Sequence, residues 1–112
     1  MEIKTSYQDQ VAVVTIEGSI DALTSGEVSA HLAGQISRGY LHMILDLSQV
    51  EYMSSAGLRA IMDGLKTSRQ AGGDLRLAAP QPGVDKVLRM AGFPSIMKSY
   101  PSLAEAAASF KD

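Results

Sequence analysis

The sequence has no cysteine, so it holds neither a disulfide framework nor a thiolate for nucleophilic or metal chemistry, and a reducing compartment is permitted. It has no excess of one charge, since 10 Lys and Arg stand against 12 Asp and Glu for a formal net charge of -2. That balance argues against capture of nucleic acid or anionic lipid by a broad basic surface. No stretch approaches the roughly 20 apolar residues that span a bilayer, and Met1-Glu2-Ile3-Lys4 lacks a basic segment followed by an apolar run. The expectation is a cytoplasmic protein without membrane insertion, whose partner is a protein or a small molecule rather than nucleic acid.

Catalytic patterns are missing too. Gly-x-Ser-x-Gly does not occur, because Met53 fills the first glycine position ahead of Ser55-Ala56-Gly57. Neither glycine-rich phosphate motif is present, and no His and Glu cluster has zinc spacing. His31 falls on a predicted helix beside its apolar stripe and His42 at the start of a predicted strand, positions that favour structural roles over base catalysis. No enzymatic activity, cofactor or metal is expected.

What is present is a regular alternation of strands and helices in 112 residues, read as one domain over 1–112. Ile3, Thr5 and Tyr7 alternate with polar residues, Gln8-Asp9-Gln10 is a tight connection, and Val11 to Glu17 is apolar on both faces. These form an antiparallel hairpin. Gly18 to Ala22 reads as a loop, and Thr24-Ser25-Gly26-Glu27 as a capping box with Leu23 and Val28 as its hydrophobic staple. A helix then follows on Val28, Leu32 and Ile36 to a stop at Gly39, and a strand from His42 to Leu47. After a short turn, Leu58, Ile61, Met62 and Leu65 have helical spacing from about Ala56 to Ala71, with Gly72-Gly73 as the stop. Ala60 and Gly64, small and four apart, allow a close neighbour. Leu75, Leu77 and Ala79 mark a strand, Val84 to Ala91 a short helix, Ile96 and Met97 a last strand, and Ser102 the cap of a final helix. The order ββαβαβαβα predicts an α/β domain with a mostly parallel sheet and about four helices.

The most informative stretch runs from Asp46 to Met62. Ser54 and Ser55 stand where the central helix begins, so one hydroxyl can cap it while the free N–H groups beside it suit an anion. The first turn carries no acid, and Arg59 adds positive charge where the helix dipole is already positive. Phosphate on Ser55 would supply the missing anion and would burden any contact made over this helix.

Leu45-Asp46-Leu47-Ser48-Gln49-Val50-Glu51-Tyr52-Met53-Ser54-Ser55-Ala56-Gly57-Leu58 resembles the signature of STAS domains, specifically bacterial anti-sigma factor antagonists of the SpoIIAA type. Gly18-Ser19-Ile20-Asp21-Ala22-Leu23-Thr24 resembles the family's Gly-x-x-Asp loop, and Gly72-Gly73-Asp74-Leu75 its turn into a strand. The resemblance covers essentially the whole chain. It implies a monomeric STAS domain that, when unphosphorylated, binds an anti-sigma factor acting also as an ATP-dependent serine kinase. Phosphorylation of the motif serine releases that partner, and a PP2C-type phosphatase restores binding. By position, the resemblance makes Ser55 the phosphorylated serine and Asp21 the supporting loop aspartate. It places partner contacts on Tyr52, Met53, Ser54, Ser55, Ala56, Gly57, Leu58, Arg59 and Met62. Ser54 stands where founding members have Asp, which makes it a competing phosphosite, and Ala56 replaces a second hydroxyl. For Asp21 a turn or cap role, and for Arg59 a solvated helix position, are the structural alternatives. The alternative function is a STAS subunit of a larger assembly, either a lipid-transport ABC complex or a stressosome. A small hydrolase using Ser55 lacks an evident base.

Overall fold

A computed structural model describes residues 1–111; Asp112, the last residue of the expected 1–112 domain, lies outside them. The elements run β1 (Glu2–Gln8), β2 (Val11–Ile20), α1 (Ser25–Ser37), β3 (His42–Met53), α2 (Ser55–Gln70), β4 (Asp74–Ala78), α3 (Pro82–Met90), β5 (Ser99–Tyr100) and α4 (Leu103–Ala108). The strands form one sheet in the order β1-β2-β3-β4-β5. β1 is antiparallel to β2 and every other pairing is parallel. The α/β class, the hairpin and the four helices are as expected from the sequence.

The two-sided apolar run of β2 is explained by what covers it. Ala12, Val14 and Ile16 join Met43, Leu45 and Leu47 of β3 against Val28 and Leu32 of α1, Ile61 and Leu65 of α2, and Val84 and Leu88 of α3. Val13 and Ile44 point the other way and meet Ala106 of α4. Three helices therefore cover one face and the short α4 covers part of the other. An added Cβ at Gly64 would lie 2.6 Å from Leu32 Cδ1, so the small residues of α2 do let α1 approach.

Four local readings are corrected. β3 does not end at Leu47: it continues to Met53, and Gly18 to Ile20 are strand rather than loop, paired beside it after two register shifts. Those shifts scramble the alternation, so the second half of β3 has no clean period of two. Thr24 makes no side-chain cap to its helix, and Leu23, the expected staple, is 94% exposed. Ile96 and Met97 are not strand; a 3-10 turn over Phe93–Ser95 precedes β5, which pairs through Ser99 and Tyr100. In the Gly72-Gly73 stop, only Gly72 is left-handed (φ 99°), whereas Gly73 is required because a Cβ there would stand 1.9 Å from the Leu41 carbonyl oxygen.

Candidate functional site

Parallel pairing sends the C-terminal ends of β2 and β3 to the same edge of the sheet, because Ile20 is in register with Met53. The residues that follow, Asp21 and Ser54, are thereby brought together from positions far apart in sequence. The junction is locked by hydrogen bonds: the Ser54 N–H donates to the Ile20 carbonyl at 2.9 Å, and the Ser54 hydroxyl donates to the same oxygen at 3.3 Å. Gly57 closes it further, since a Cβ there would stand 2.8 Å from that oxygen and 2.9 Å from Met53 Cγ.

The two serines differ in kind. Ser54, in extended conformation, is the N-cap of α2, and its hydroxyl accepts the Gly57 N–H at 3.3 Å. It is half-buried and its donor and acceptor capacity are both in use. Ser55 is the first helical residue, exposed, and its hydroxyl makes no hydrogen bond with the described residues. Local sequence left open which serine caps the helix; the backbone decides it.

Asp21 organises the neighbouring loop. Its Oδ1 accepts the N–H of Leu23 at 2.9 Å and of Thr24 at 3.2 Å, while the Thr24 hydroxyl donates to the Ser19 carbonyl at 2.9 Å. This is an aspartate turn leading into α1, so the structural alternative for Asp21 is realised. The signal for this turn was in the sequence, at an aspartate three residues ahead of the expected box, and it orders the approach to α1 without capping the helix. Leu23 is held on that turn with its side chain in solvent.

The remaining predicted contact residues divide by burial. Tyr52 is 55% exposed, Arg59 is exposed, and Ala56, Leu58 and Met62 are partly exposed, the last two resting on the core. Met53 and Gly57 are buried. Their side of the junction positions the helix and offers a partner no side-chain surface. Arg59 makes no ion pair among the described residues and borders a shallow dent between the starts of α1 and α2, shared with Ser25, Ser29 and Asp63. Away from this edge, His31 Nε2 lies within hydrogen-bond distance of the Thr5 hydroxyl, and His42 packs on Phe110 with ring centroids 5.2 Å apart. His42 is remote from Ser55, at the opposite end of β3, and the Thr5 that His31 meets is in register with Val14 and through it with Leu45, well short of Met53. No grouping of three metal-ligating side chains occurs among the described residues, and none of their helices is long and apolar enough to cross a membrane.

The family model for the STAS domain matches residues 2–106. BtrV of Bordetella bronchiseptica, a candidate anti-sigma factor antagonist by name, is 33% identical over 111 residues, 99% of this chain and 96% of its own length. An anti-sigma F factor antagonist of Paenibacillus polymyxa is 30% identical over 101 residues, 89% and 86% of the two chains. The solved anti-sigma factor antagonist SpoIIAA superposes with TM-score 0.81 at 19% identity, over 95% of this chain and 93% of its own, in its unphosphorylated form. Its phosphorylated form gives 0.75 at 18%, over 98% and 100%. With the signature stretch at the helix start, the Gly-x-x-Asp loop beside it and a family match over almost its whole length, this chain belongs to the STAS domain family.

Proposed function

We propose that this protein is an anti-sigma factor antagonist, a non-enzymatic switch that exchanges partners according to phosphate on Ser55. Unphosphorylated, it binds an anti-sigma factor that is also an ATP-dependent serine kinase, through the exposed start of α2 and the adjoining Asp21 loop. The kinase supplies the ATP, and a PP2C-type phosphatase resets the protein. The observation that carries the reading is the division of labour between the serines. Ser54 is spent on holding Ile20 and Gly57, whereas Ser55 presents an unengaged, exposed hydroxyl at the first position of the helix.

Phosphate at that position suits the domain, because two negative charges sit at the positive end of α2 and no acidic residue occupies its first turn. It does not suit a docked partner. Desolvating a dianion in the contact at a cost of about 3 to 4 kcal/mol would weaken binding roughly 150- to 900-fold. The switch therefore needs no change of fold, in keeping with the existence of SpoIIAA structures in both phosphorylation states.

The test is intact and peptide mass spectrometry of the protein isolated from its own cells, with and without phosphatase. A phosphatase-sensitive phosphate on Ser55, lost in Ser55→Ala while partner binding persists, supports the switch. Cells sampled across growth and stress that never carry phosphate on Ser54 or Ser55 would overturn it, and co-purification with an ABC ATPase or a megadalton particle would then identify a constitutive subunit of a larger assembly.

A further inference from the structure

Leu23, 94% exposed, gives more of itself to water than any of the other large hydrophobic residues exposed among the described ones. The loop that carries it is nonetheless fixed. Asp21 Oδ1 holds the Leu23 and Thr24 N–H groups, the Asp21 N–H donates to the Thr24 hydroxyl at 2.9 Å, and the Asp21 carbonyl accepts the Ser25 N–H at 2.8 Å. A leucine on a mobile tip would have to give up backbone freedom when covered, whereas this one has already given it up. Two more of the six large exposed hydrophobic residues stand at the same edge of the sheet. Tyr52 is in register with Ser19, and Met1 lies against Gly18, where an added Cβ would stand 3.4 Å from its Cα. Of the remaining three, Tyr7 is stacked on Tyr40, and Met90 and Ile96 lie at the end of α3 and beyond it.

The charges of this edge narrow what can cover it. Glu27, Glu51 and Arg59 are all exposed there, so both signs are present and the basic cluster that an anionic membrane requires is missing. A protein surface with an apolar pocket fits. We propose that Leu23 is the apolar anchor for the partner that reads Ser55, and that Asp21 serves binding by positioning Leu23 rather than by touching the partner. The inference rests on the partner-exchange reading above and adds a residue outside the contacts that the family resemblance implies. Continuity of surface carries it. The Ile20 carbonyl that receives the Ser54 N–H immediately precedes Asp21, and the starts of α1 and α2 border one dent, so anchor and hydroxyl face a single partner. Phosphate on Ser55 would leave the anchor as it is and oppose docking beside it.

The experiment places p-benzoylphenylalanine at Tyr52, an aromatic exchanged for an aromatic, and collects photo-crosslinked adducts in the protein's own cells. One adduct with another protein, lost in Ser55→Asp, is expected. That protein is then purified and titrated with variants by calorimetry. Leu23→Ala should weaken binding roughly tenfold or more, the loss expected for a leucine that a pocket buries, and should leave Tm within about 3 °C of wild type. Leu23→Met should stay within about threefold of wild type, since it keeps the apolar volume. Asp21→Asn keeps the side-chain acceptor and loses the charge, so it should also stay within about threefold, while Asp21→Ala should bind as weakly as Leu23→Ala. The anchor alone is overturned if Leu23→Ala binds as wild type, and its positioning by Asp21 if Asp21→Asn is as weak as Asp21→Ala. An adduct only with a second copy of this chain, or none that Ser55→Asp removes, would overturn the partner-exchange reading and the anchor with it.

Discussion

Replacing Ser54 by alanine tests the assignment of roles to the two serines without any partner. The substitution removes the hydroxyl that accepts the Gly57 N–H at 3.3 Å and donates to the Ile20 carbonyl at 3.3 Å. The Ile20 oxygen keeps the Ser54 backbone N–H at 2.9 Å, so no carbonyl is orphaned. The Gly57 N–H, on a buried residue, loses the hydroxyl that satisfied it. Loss of an N-cap costs about 0.5 to 2 kcal/mol, and an unsatisfied buried donor puts this case in the upper half of that range. At roughly 5 °C per kcal/mol for a domain of this size, Ser54→Ala should lower Tm by about 5 to 10 °C. Ser55→Ala removes only an exposed, unbonded hydroxyl and should stay within about 0.5 kcal/mol of wild type. Ser54→Asp keeps a good cap and should also stay close to wild type. Circular dichroism melts of the three variants decide the matter. Equal destabilisation by Ser54→Ala and Ser55→Ala, or a Ser54→Asp protein as unstable as Ser54→Ala, would refute the reasoning.

Other perturbations check the frame around the site. Gly73→Ala forces a Cβ within 1.9 Å of the Leu41 oxygen, which is backbone, and should cost roughly 3 kcal/mol or more. Gly64→Ala meets the flexible end of Leu32 at 2.6 Å and, helped by alanine's helix propensity, should cost about 1 kcal/mol or less; urea denaturation should show that order. Burial by itself would raise the pKa of Asp74, but hydrogen bonds from Arg76 and Arg69, the charge of Arg69 and the Leu75 N–H outweigh it and hold the carboxyl below its ordinary value. A depressed folded-state pKa contributes stability above the unfolded pKa near 4 and loses it as pH falls through the folded one. Asp74→Asn should therefore flatten the decline of stability below about pH 4, and an acid limb as steep as wild type would count against it. Ala79, at φ 53°, is a left-handed non-glycine residue. Ala79→Gly should leave stability unchanged or raise it by up to about 1 kcal/mol, because relief of strain offsets the added freedom of the unfolded chain. A loss beyond 1 kcal/mol in a thermal melt would show that the strain is absent.

How much was legible before the structure varies with the range of the interaction that decides each feature. Helices with sharp local signals were readable: the Ser102 hydroxyl does accept the Glu105 N–H, and Gly39 and Gly92 are left-handed where the helical stripes stop. The far half of β3 was not, because Gln49 to Met53 are held by pairing with Glu17 to Ile20 across register shifts that leave no alternation to read. Leu23 was misplaced for a related reason. A capping box around Thr24 is a sound local pattern, but Asp21 captures the Leu23 and Thr24 N–H groups first and turns Leu23 outward. The buried face of α2 takes in Gly57, Ala60 and Gly64 beside Ile61 and Leu65 and leaves Leu58 and Met62 partly exposed, since close approach of α1 and β2 turns the small side of the helix inward.

The sequence by itself determined the order of elements, the two-sided strand β2, the absence of cysteine chemistry and of a serine-hydrolase pattern, and the presence of two hydroxyls at one helix start. Only the tertiary structure decided which hydroxyl is committed. Ser54 faces the carbonyl of Ile20 because parallel pairing of β2 with β3 ends both strands at the same edge, and a contact between residues 34 apart has no local signature. That one long-range hydrogen bond, with the cap it shares, leaves Ser55 as the hydroxyl that points into water.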